Sequence, residues 1–289
     1  MRDMRTTTLV EGLRFGECPR WHEGRLWISD FYDGAVLSVG EDGEVRREVE
    51  IDGEPAGIGW LPDGRLLVAE RLSRRVLRVE PDGSLVEHAN LNDVATFHVN
   101  DMLVDPAGGA YVGNFGFDLD AFLAEHGIPA ALAEPGPPSA NLARIDAGGT
   151  VSVAAPEMRF PNGMVLTDDG RTLVVAETIA LRLSAFAVSA DDGLLSDRRV
   201  WAALDGVAPD GIALDHSGAI WVANAIAPEC LLVAEGGAVK ERVETTQPCY
   251  ACGLGGADGR TLFMVTAPDS TAAVRATSRE GRLETVSLA

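Results

Sequence analysis

Residues 209–224 read PDGIALDHSGAIWVAN, in which two short apolar stretches flank a turn that contains Gly218. This arrangement, a turn glycine followed by an apolar strand, recurs along the 289-residue chain. Its six copies are HEGRLWISD (22–30), PDGRLLVAE (62–70), PAGGAYVGN (106–114), DDGRTLVVAE (168–177), HSGAIWVAN (216–224) and ADGRTLFMVT (257–266). Successive turn glycines are 40, 44, 62, 48 and 41 residues apart, so the chain is built from internal repeats.

A second pattern follows each copy: a strand, a tight turn and another strand, as in RVLRVEPDGSLVEHA (75–89). Asp-Gly and Gly-Gly between alternating apolar residues predict β-hairpins. Each unit therefore holds four short strands, and six such units are typical of a β-propeller. The sequence predicts an all-β fold, a six-bladed β-propeller with four antiparallel strands per blade, spanning residues 1–289 as one domain. The segment TTLVEG (7–12) is expected to supply the outer strand of the last blade and so to close the ring.

One insertion interrupts the rhythm at about residues 117–140, FDLDAFLAEHGIPAALAEPGPPSA. Its first half predicts one or two helical turns that end at Gly127, and its second half is rich in proline and glycine. Two interpretations are open. The insertion is either a lid over one face of the propeller or a solvated surface excursion.

The charge of the chain limits the classes of partner. It carries 24 Lys and Arg against 44 Asp and Glu, a formal net charge of −20. This balance argues against nucleic acid and against an anionic membrane surface, and it favours cation binding. The chain has no apolar run long enough for a membrane span and no signal-peptide pattern at its start, so we expect a cytoplasmic protein. The four cysteines are too scattered for a disulfide framework and are expected to be free thiols.

Aligning the repeats on the turn glycine identifies one position at the start of the innermost strand of each blade. It lies eight residues before the glycine, or seven in the first repeat. The six residues at this position are Glu17, Ala56, Asn100, Asn162, Asp210 and Ala251. Four of the six carry side-chain oxygens, although Asn-Gly and Asp-Gly are also common turn pairs.

Two carboxylates that converge on a dry axis would repel each other and raise each other's pKa. A bound cation removes that conflict. Carboxylate and amide oxygens are hard ligands that suit Ca²⁺, Mg²⁺ or Mn²⁺, and Zn²⁺ also accepts carboxylates. The sequence therefore predicts one divalent metal ion at the axis, with Ca²⁺ favoured.

Four segments carry a resemblance to a known family: GECPRWHEGRLWISD (16–30), the ND pair at 100–101, FPNGMVLTDDG (160–170) and residues 209–224. Together they resemble the SMP-30/gluconolactonase/luciferin-regenerating-enzyme family, from about residue 11 to the C-terminus. The resemblance implies a six-bladed propeller with one axial divalent metal and hydrolysis of lactones. It implies Glu17, Asn162 and Asp210 as metal ligands, and Asn100 as a substrate contact or a water-mediated fourth ligand.

The sequence departs from this family at one position. Sugar-lactonase members tend to carry arginine two residues before the asparagine of the ND pair, and here that residue is His98. A less polar lactone or ester is therefore expected in place of an aldonolactone. The aromatic NFGFD segment (114–118) favours the same substrate, and His98 is a substrate-contact candidate or a structural residue.

These observations lead to one mechanism and to alternatives that stay open. In the mechanism, a metal-activated water attacks the carbonyl of a small-molecule lactone with Asp210 as base, while Asn100 or His98 donates to the developing oxyanion. This makes the protein a metal-dependent lactonase among the carboxylic-ester hydrolases. The alternatives are a non-catalytic cation-binding propeller and a family member with a different reaction, such as a strictosidine-synthase-like bond formation. The oligomeric state stays open.

Overall fold

The computed structural model describes residues 6–288, which form six four-stranded antiparallel sheets arranged as a six-bladed β-propeller. The predicted fold is therefore confirmed. The prediction named residues 1–289, of which residues 1–5 and residue 289 lie outside the described part of the chain. Among the described residues, no helix is both long and apolar enough to cross a membrane.

Each repeat of the sequence forms one blade, and in blades 1 to 5 the strands follow one another in chain order. Blade 1 consists of β2 (Gly16–His22), β3 (Arg25–Asp30), β4 (Ala35–Val39) and β5 (Val45–Glu50). Blade 2 consists of β6 (Pro55–Trp60), β7 (Leu66–Glu70), β8 (Arg75–Val79) and β9 (Leu85–Asn90). Blade 3 consists of β10 (Val99–Val104), β11 (Ala110–Asn114), β12 (Ala140–Ile145) and β13 (Val151–Met158).

The second half of the chain repeats this plan. Blade 4 consists of β14 (Pro161–Leu166), β15 (Thr172–Glu177), β16 (Arg182–Val188) and β17 (Leu195–Ala203). Blade 5 consists of β18 (Pro209–Leu214), β19 (Ile220–Asn224), β20 (Glu229–Val233) and β21 (Val239–Glu244). Blade 6 consists of β22 (Cys249–Gly255), β23 (Thr261–Thr266), β24 (Gly281–Ser287) and β1 (Thr7–Leu13).

The ring is closed by β1, the first strand of the chain. It pairs antiparallel with β24, so that Thr7 lies opposite Thr285 and Leu13 lies opposite Gly281. The predicted closure by residues 7–12 is thus confirmed. Because β24 is paired on both sides, this blade does not leave an open edge between the two ends of the chain.

The core lies between adjacent blades. All five residues of β7 are buried, whereas most of β5, an outermost strand, is exposed and charged. One core cluster joins Val165 and Val174 of blade 4 to Ile220 and Val222 of blade 5. The inner strands are apolar on both faces because each blade packs against a neighbour on both sides.

The Asn-Gly and Asp-Gly pairs at 162–163 and 210–211 lie inside strands and are not turns. Their glycines are required by the close approach of neighbouring inner strands. A Cβ atom at Gly163 would lie 2.5 Å from the carbonyl oxygen of Asp210, and one at Gly211 would lie 2.7 Å from the Cα atom of Ala251. The polar residue of each pair is thereby fixed at the start of its strand.

In several blades the second strand ends at a buried polar side chain, which is hydrogen-bonded to the backbone just before the first strand. Each accepts a hydrogen bond from a backbone N–H group just before the inner strand, at 2.8 to 3.1 Å. Such bonds satisfy the buried side chain and hold the backbone where the site residues begin. The bonds run to Asp30 from Phe15, to Glu177 from Arg159 and to Asn224 from Ala208.

The insertion after β11 folds into helix α1 (Leu119–Leu132), and a single helical turn, α2 (Ala272–Arg275), precedes β24. Asp118 caps α1 by accepting a hydrogen bond from the N–H group of Ala121. The helix does not end at Gly127 as predicted, but it is broken there, since Gly127 has a φ of 76° and a helical segment continues beyond it. Leucines and Phe122 of α1 pack against Phe160 and Ile179 of blade 4.

Candidate active site

The inner strands of the six blades begin at one cavity of about 680 Å³. All five site residues that the sequence predicts line it: Glu17, His98, Asn100, Asn162 and Asp210. They come from blades 1, 3, 4 and 5, so only the closed ring brings them together. A cavity of this size falls within the range of small-molecule sites, about 300–1,000 Å³.

The sixth blade differs from the repeat alignment by one residue. Tyr250 lines the cavity, whereas Ala251 lies in a core cluster with Phe263 and Val265. The cause is an irregular register in β22, where Cys249 pairs with Thr266 and Ala251 already pairs with Val265. Sequence alignment on Gly259 therefore missed an aromatic residue of the site.

Glu17 and Asp210 oppose each other electrostatically. Burial, followed by repulsion from Asp210 and Asp101, raises the pKa of Glu17 well above its ordinary value. Burial and the charge of Asp101 likewise raise the pKa of Asp210 well above its ordinary value. Two acids that both resist ionisation mark a site where a positive charge would be stabilised.

Asp101 is a third acid of this region, and the sequence pattern marks it only as the second residue of the ND pair. It accepts hydrogen bonds from the Cys18 thiol at 2.9 Å and from Arg20 at 2.9 Å. Cys18 is buried, and its sulfur also accepts a hydrogen bond from the N–H group of Ile58 at 3.2 Å. Cys18 packs in a core cluster with Val36 of blade 1 and Ile58 of blade 2, and the predicted free state of all four cysteines is confirmed.

The two asparagines differ in how their side chains are held. The amide nitrogen of Asn162 donates to the Thr178 hydroxyl at 3.2 Å, and that hydroxyl donates to the carbonyl oxygen of Pro209. This bond directs the amide oxygen of Asn162 away from Thr178. Both amide atoms of Asn100 are buried without a hydrogen-bond partner, and so is Oδ1 of Asp210.

This donor set is suited to a hard divalent cation. Unpartnered buried oxygens are costly unless a ligand or ion satisfies them, and a cation would also relieve the repulsion between Glu17 and Asp210. Within residues 6–288, no group of three His, Cys, Asp or Glu side chains is arranged to hold a metal ion. The predicted ligand set is not such a cluster, because it combines the carboxylates of Glu17 and Asp210 with the amide oxygen of Asn162.

His98 lies just before β10 at the wall of the cavity. Burial, together with the nearby charge of Arg71, lowers the pKa of His98 to about 4. Its ring is therefore neutral at pH 7, and Nδ1 is buried without a hydrogen-bond partner. The ring packs on Phe97, with centroids 4.1 Å apart. A neutral imidazole in this place can exchange one hydrogen bond with a ligand but carries no charge for one.

Aromatic residues make up much of the remaining wall. Phe15 packs on Tyr250 at 4.8 Å between ring centroids, and Phe115 packs on Phe160 at 4.5 Å. Phe115 belongs to the NFGFD segment that the sequence analysis singled out. Phe15 and Phe160 lie in loops that join adjacent blades, and Phe115 lies in the loop between β11 and β12. The repeat pattern does not predict which loops meet.

Arg71 and Glu54 form an ion pair at the wall, and the sequence analysis did not identify either residue. Arg71 is buried, and its guanidinium lies 5.0 Å from the Phe115 ring centroid and 5.4 Å from that of Phe31. Cation–π contact and the Glu54 carboxylate together hold the guanidinium in place. Among residues 6–288, Arg71 is the only Lys or Arg side chain that lines the cavity.

Helix α1 also borders the cavity. Leu119, Leu123, Ile128 and Leu132 are among its lining residues. The insertion is therefore in contact with the same space as the polar side chains of the inner strands.

Residues 15–268 match the family described as the SMP-30/Gluconolactonase/LRE-like region. The chain is 30% identical over 280 residues to a pentonolactonase of Haloferax volcanii, a match that covers 91% of this chain and 86% of that protein. It is 25% identical over 268 residues to a 6-deoxy-6-sulfogluconolactonase of Pseudomonas putida, covering 89% and 85% of the two chains.

Among solved structures, the fold is similar to that of a calcium-binding protein, regucalcin, from Agrobacterium tumefaciens. The TM-score is 0.77 at 17% sequence identity, and the match covers 99% of this chain and 94% of the other. At this identity the likeness establishes the propeller fold.

Proposed function

The chain belongs to the SMP-30/gluconolactonase/LRE-like family, and we propose that it hydrolyses a small-molecule lactone or a related cyclic ester. The observation that carries the proposal is the meeting of Glu17, Asn100, Asn162 and Asp210 at one cavity. The names of two relatives that match over most of the chain, a pentonolactonase and a 6-deoxy-6-sulfogluconolactonase, support the same reaction class.

Glu17, Asn162 and Asp210 would hold one divalent cation in this proposal, with Ca²⁺ favoured because a solved relative is a calcium-binding protein. When bound, such a cation polarises a carbonyl group and lowers the pKa of a water molecule. The mutual repulsion of the two carboxylates and the unpartnered Oδ1 of Asp210 support this assignment.

Asp210 is the proposed general base. Its carboxylate would accept the proton of the attacking water and then return it to the ring oxygen that leaves as the lactone opens. The amide nitrogen of Asn100 has no partner within the protein, so it can donate to the oxygen that gains charge during attack. Neutral His98 would contact the substrate beside it.

Helix α1 is the proposed cover of the cavity, since its apolar side chains border the space above the polar residues. Excluding water strengthens the electrostatic contacts within a site. Four cysteines that are all free and buried support the further expectation of a cytoplasmic enzyme, because cytoplasmic proteins rarely keep disulfides.

A lactone panel tests the proposal. The metal-replete protein is assayed with sugar lactones, aliphatic γ- and δ-lactones and aromatic lactones, alongside Asp210→Asn and Asp205→Asn. Asp205 is the matched control, because it is an exposed aspartate just before the same inner strand. We expect turnover of at least one lactone, a loss of kcat/KM of about 1,000-fold in Asp210→Asn, and little change in Asp205→Asn.

Two results would contradict the proposal. Wild-type turnover by Asp210→Asn would remove Asp210 from the mechanism. Metal binding without turnover of any lactone would instead favour a non-catalytic cation-binding propeller.

A further inference from the structure

The cavity is larger and less polar than a simple sugar lactone requires. Its volume of about 680 Å³ lies in the range that encloses drug-sized molecules. Glu17, Asn100, Asn162 and Asp210 lie at the starts of the inner strands, while Phe15, Phe115 and Phe160 contribute aromatic surface to the wall. A bound molecule therefore meets the inner-strand residues on one side and apolar side chains of the wall on the other, which we term the apolar end.

The apolar end is marked by three exposed aliphatic side chains from different parts of the ring. Leu72 follows β7, Ile128 lies in α1 and Ile226 follows β19, and all three line the same cavity. Their side chains are 46%, 53% and 44% exposed. Exposed aliphatic residues from separate segments that line one cavity indicate a ligand-binding surface.

The charges of the wall disfavour an anionic ligand. The lining residues include the carboxylates of Glu17, Glu54, Asp101, Asp118, Asp120, Asp210 and Asp269. Against these acids, Arg71 is the single Lys or Arg in the lining of the described chain, and Glu54 already pairs with its guanidinium. Away from the proposed cation, an added carboxylate or sulfonate would find no free cationic side chain among the described lining residues, so its burial would be unfavourable.

We infer that the substrate is an uncharged lactone with an apolar ring or chain substituent, which lies against Leu72, Ile128 and Ile226. This inference rests on the proposed lactone hydrolysis and names its substrate class. In this arrangement the lactone carbonyl faces Asn100 and Asp210, and the substituent extends towards α1. The ion pair between Glu54 and Arg71 acts as a specificity determinant, because it withholds a cation from anionic substrates.

Four substrates separate this inference from the proposed function. They are δ-valerolactone, a δ-lactone with a five-carbon alkyl chain, a δ-lactone whose chain of similar length ends in a carboxylate, and glucono-δ-lactone. We expect kcat/KM for the alkyl lactone to exceed that for δ-valerolactone by about tenfold. We expect the carboxylated lactone and glucono-δ-lactone to be at least about tenfold poorer than the alkyl lactone.

Variants of the cavity wall test whether Leu72 and Ile226 contact the alkyl substituent. Ile226→Asn and Leu72→Asn should lower the ratio of kcat/KM for the alkyl lactone to that for δ-valerolactone, about fivefold each. Leu194→Asn is the matched control, because Leu194 is 52% exposed in a turn outside the cavity, and the ratio should stay constant. Glu54→Gln should release the Arg71 charge and raise kcat/KM for the carboxylated lactone relative to the alkyl lactone.

The outcomes are distinguishable. If glucono-δ-lactone or the carboxylated lactone is the best substrate, or if δ-valerolactone equals the alkyl lactone, the inference is wrong while lactone hydrolysis stands. If the wild-type protein hydrolyses none of the four, both the inference and the proposed function are wrong.

Discussion

Glu17 and Asp210 are two neighbouring acids whose mutual repulsion lowers the stability of the folded chain. Each is held in a place where burial and a neighbouring acid raise its pKa. Such arrangements are retained where function requires them, since an apolar residue would pack there at lower cost. A cation that links the two acids is the simplest physical reason for their presence.

Replacing Glu17 by glutamine should have opposite effects on the two forms of the protein. The metal-free form should gain thermal stability, because an acid that repels Asp210 is removed. The affinity for Ca²⁺ should fall at least about tenfold, because one charged ligand is lost. Calorimetric titration and melting curves with and without Ca²⁺ check both effects, with Glu11→Gln as an exposed control. Unchanged Ca²⁺ affinity in Glu17→Gln would exclude Glu17 as a ligand.

Glu177 shows how a residue outside the cavity supports the site. Burial alone would raise its pKa, but hydrogen bonds from Arg182, Ser184 and the Arg159 N–H group lower the pKa below its ordinary value. The same bond to Arg159 positions the chain just before β14, which carries Asn162. The charged form of Glu177 therefore stabilises the folded state.

Glu177→Gln should lower the free energy of unfolding at pH 7 by about 2 kcal/mol, because bonds to a charged acceptor are lost. The sign follows from the lowered pKa: the contribution is present above the unfolded pKa and is lost as pH falls through the folded value. Denaturant melts at pH 7 and at pH 3 to 4 should show a difference that shrinks in acid. Glu241→Gln, on the exposed strand β21, should show little difference at either pH.

Neighbouring inner strands approach each other so closely at Gly163 and Gly211 that a larger residue would not fit there. Gly163 lies against the backbone of β18 at Asp210 and Ile212, near the start of that strand. The glycine therefore serves both the packing of blades 4 and 5 and the position of a site residue. This explains why the polar residue at the strand start is followed by glycine at residues 163 and 211.

Gly163→Ala should destabilise the fold by about 2 kcal/mol through overpacking and should also reduce catalytic turnover. The added Cβ would meet backbone atoms of Asp210 and Ile212, which move only if the two strands separate. The control is Gly148→Ala, in a turn where the nearest atom, the side-chain oxygen Oδ1 of Asp146, lies 3.2 Å from the added Cβ. Melting temperature and kcat together test the variant, and wild-type values for both would disprove the packing argument.

The repeated strands could be predicted from the sequence, whereas the irregular register of β22 and the full length of α1 could not. Turn glycines and alternating apolar residues were sufficient for the blades, and five of the six ring positions line the cavity. Tyr250 was missed because an irregular register in β22 shifts the last blade by one residue. The helix α1 was predicted only as far as Gly127, since a glycine with positive φ usually ends a helix but here joins two helical segments.

At the scale of the whole molecule, closure of the ring creates the site. Glu17 and Asp210 are separated by most of the chain, and they meet only when blade 6 joins blade 1. The pairing of β1 with β24 completes that junction. Arg71, Glu54 and the apolar end formed by Leu72, Ile128 and Ile226 could not be predicted from the repeats, because loops from different blades meet only in the closed ring.

Val10→Asp should weaken this closure. Val10 is a buried residue of β1 in a core cluster with Leu13 and Leu37, and a carboxylate there has no partner. We expect a loss of about 3 kcal/mol in the free energy of unfolding. Glu11→Gln, at the exposed neighbouring position, serves as the control. Equal denaturant midpoints for Val10→Asp and the wild type would show that β1 contributes little to closure.

Glu17, Asn162 and Asp210 are proposed to form a metal-dependent hydrolytic site. The most direct measurement strips the protein with a chelator, verifies metal removal by elemental analysis and then restores Ca²⁺, Mg²⁺, Mn²⁺ or Zn²⁺ singly. Lactone turnover is measured at each stage. We predict that turnover falls to background without metal and returns with at least one cation. Full turnover by verified metal-free protein would contradict the account.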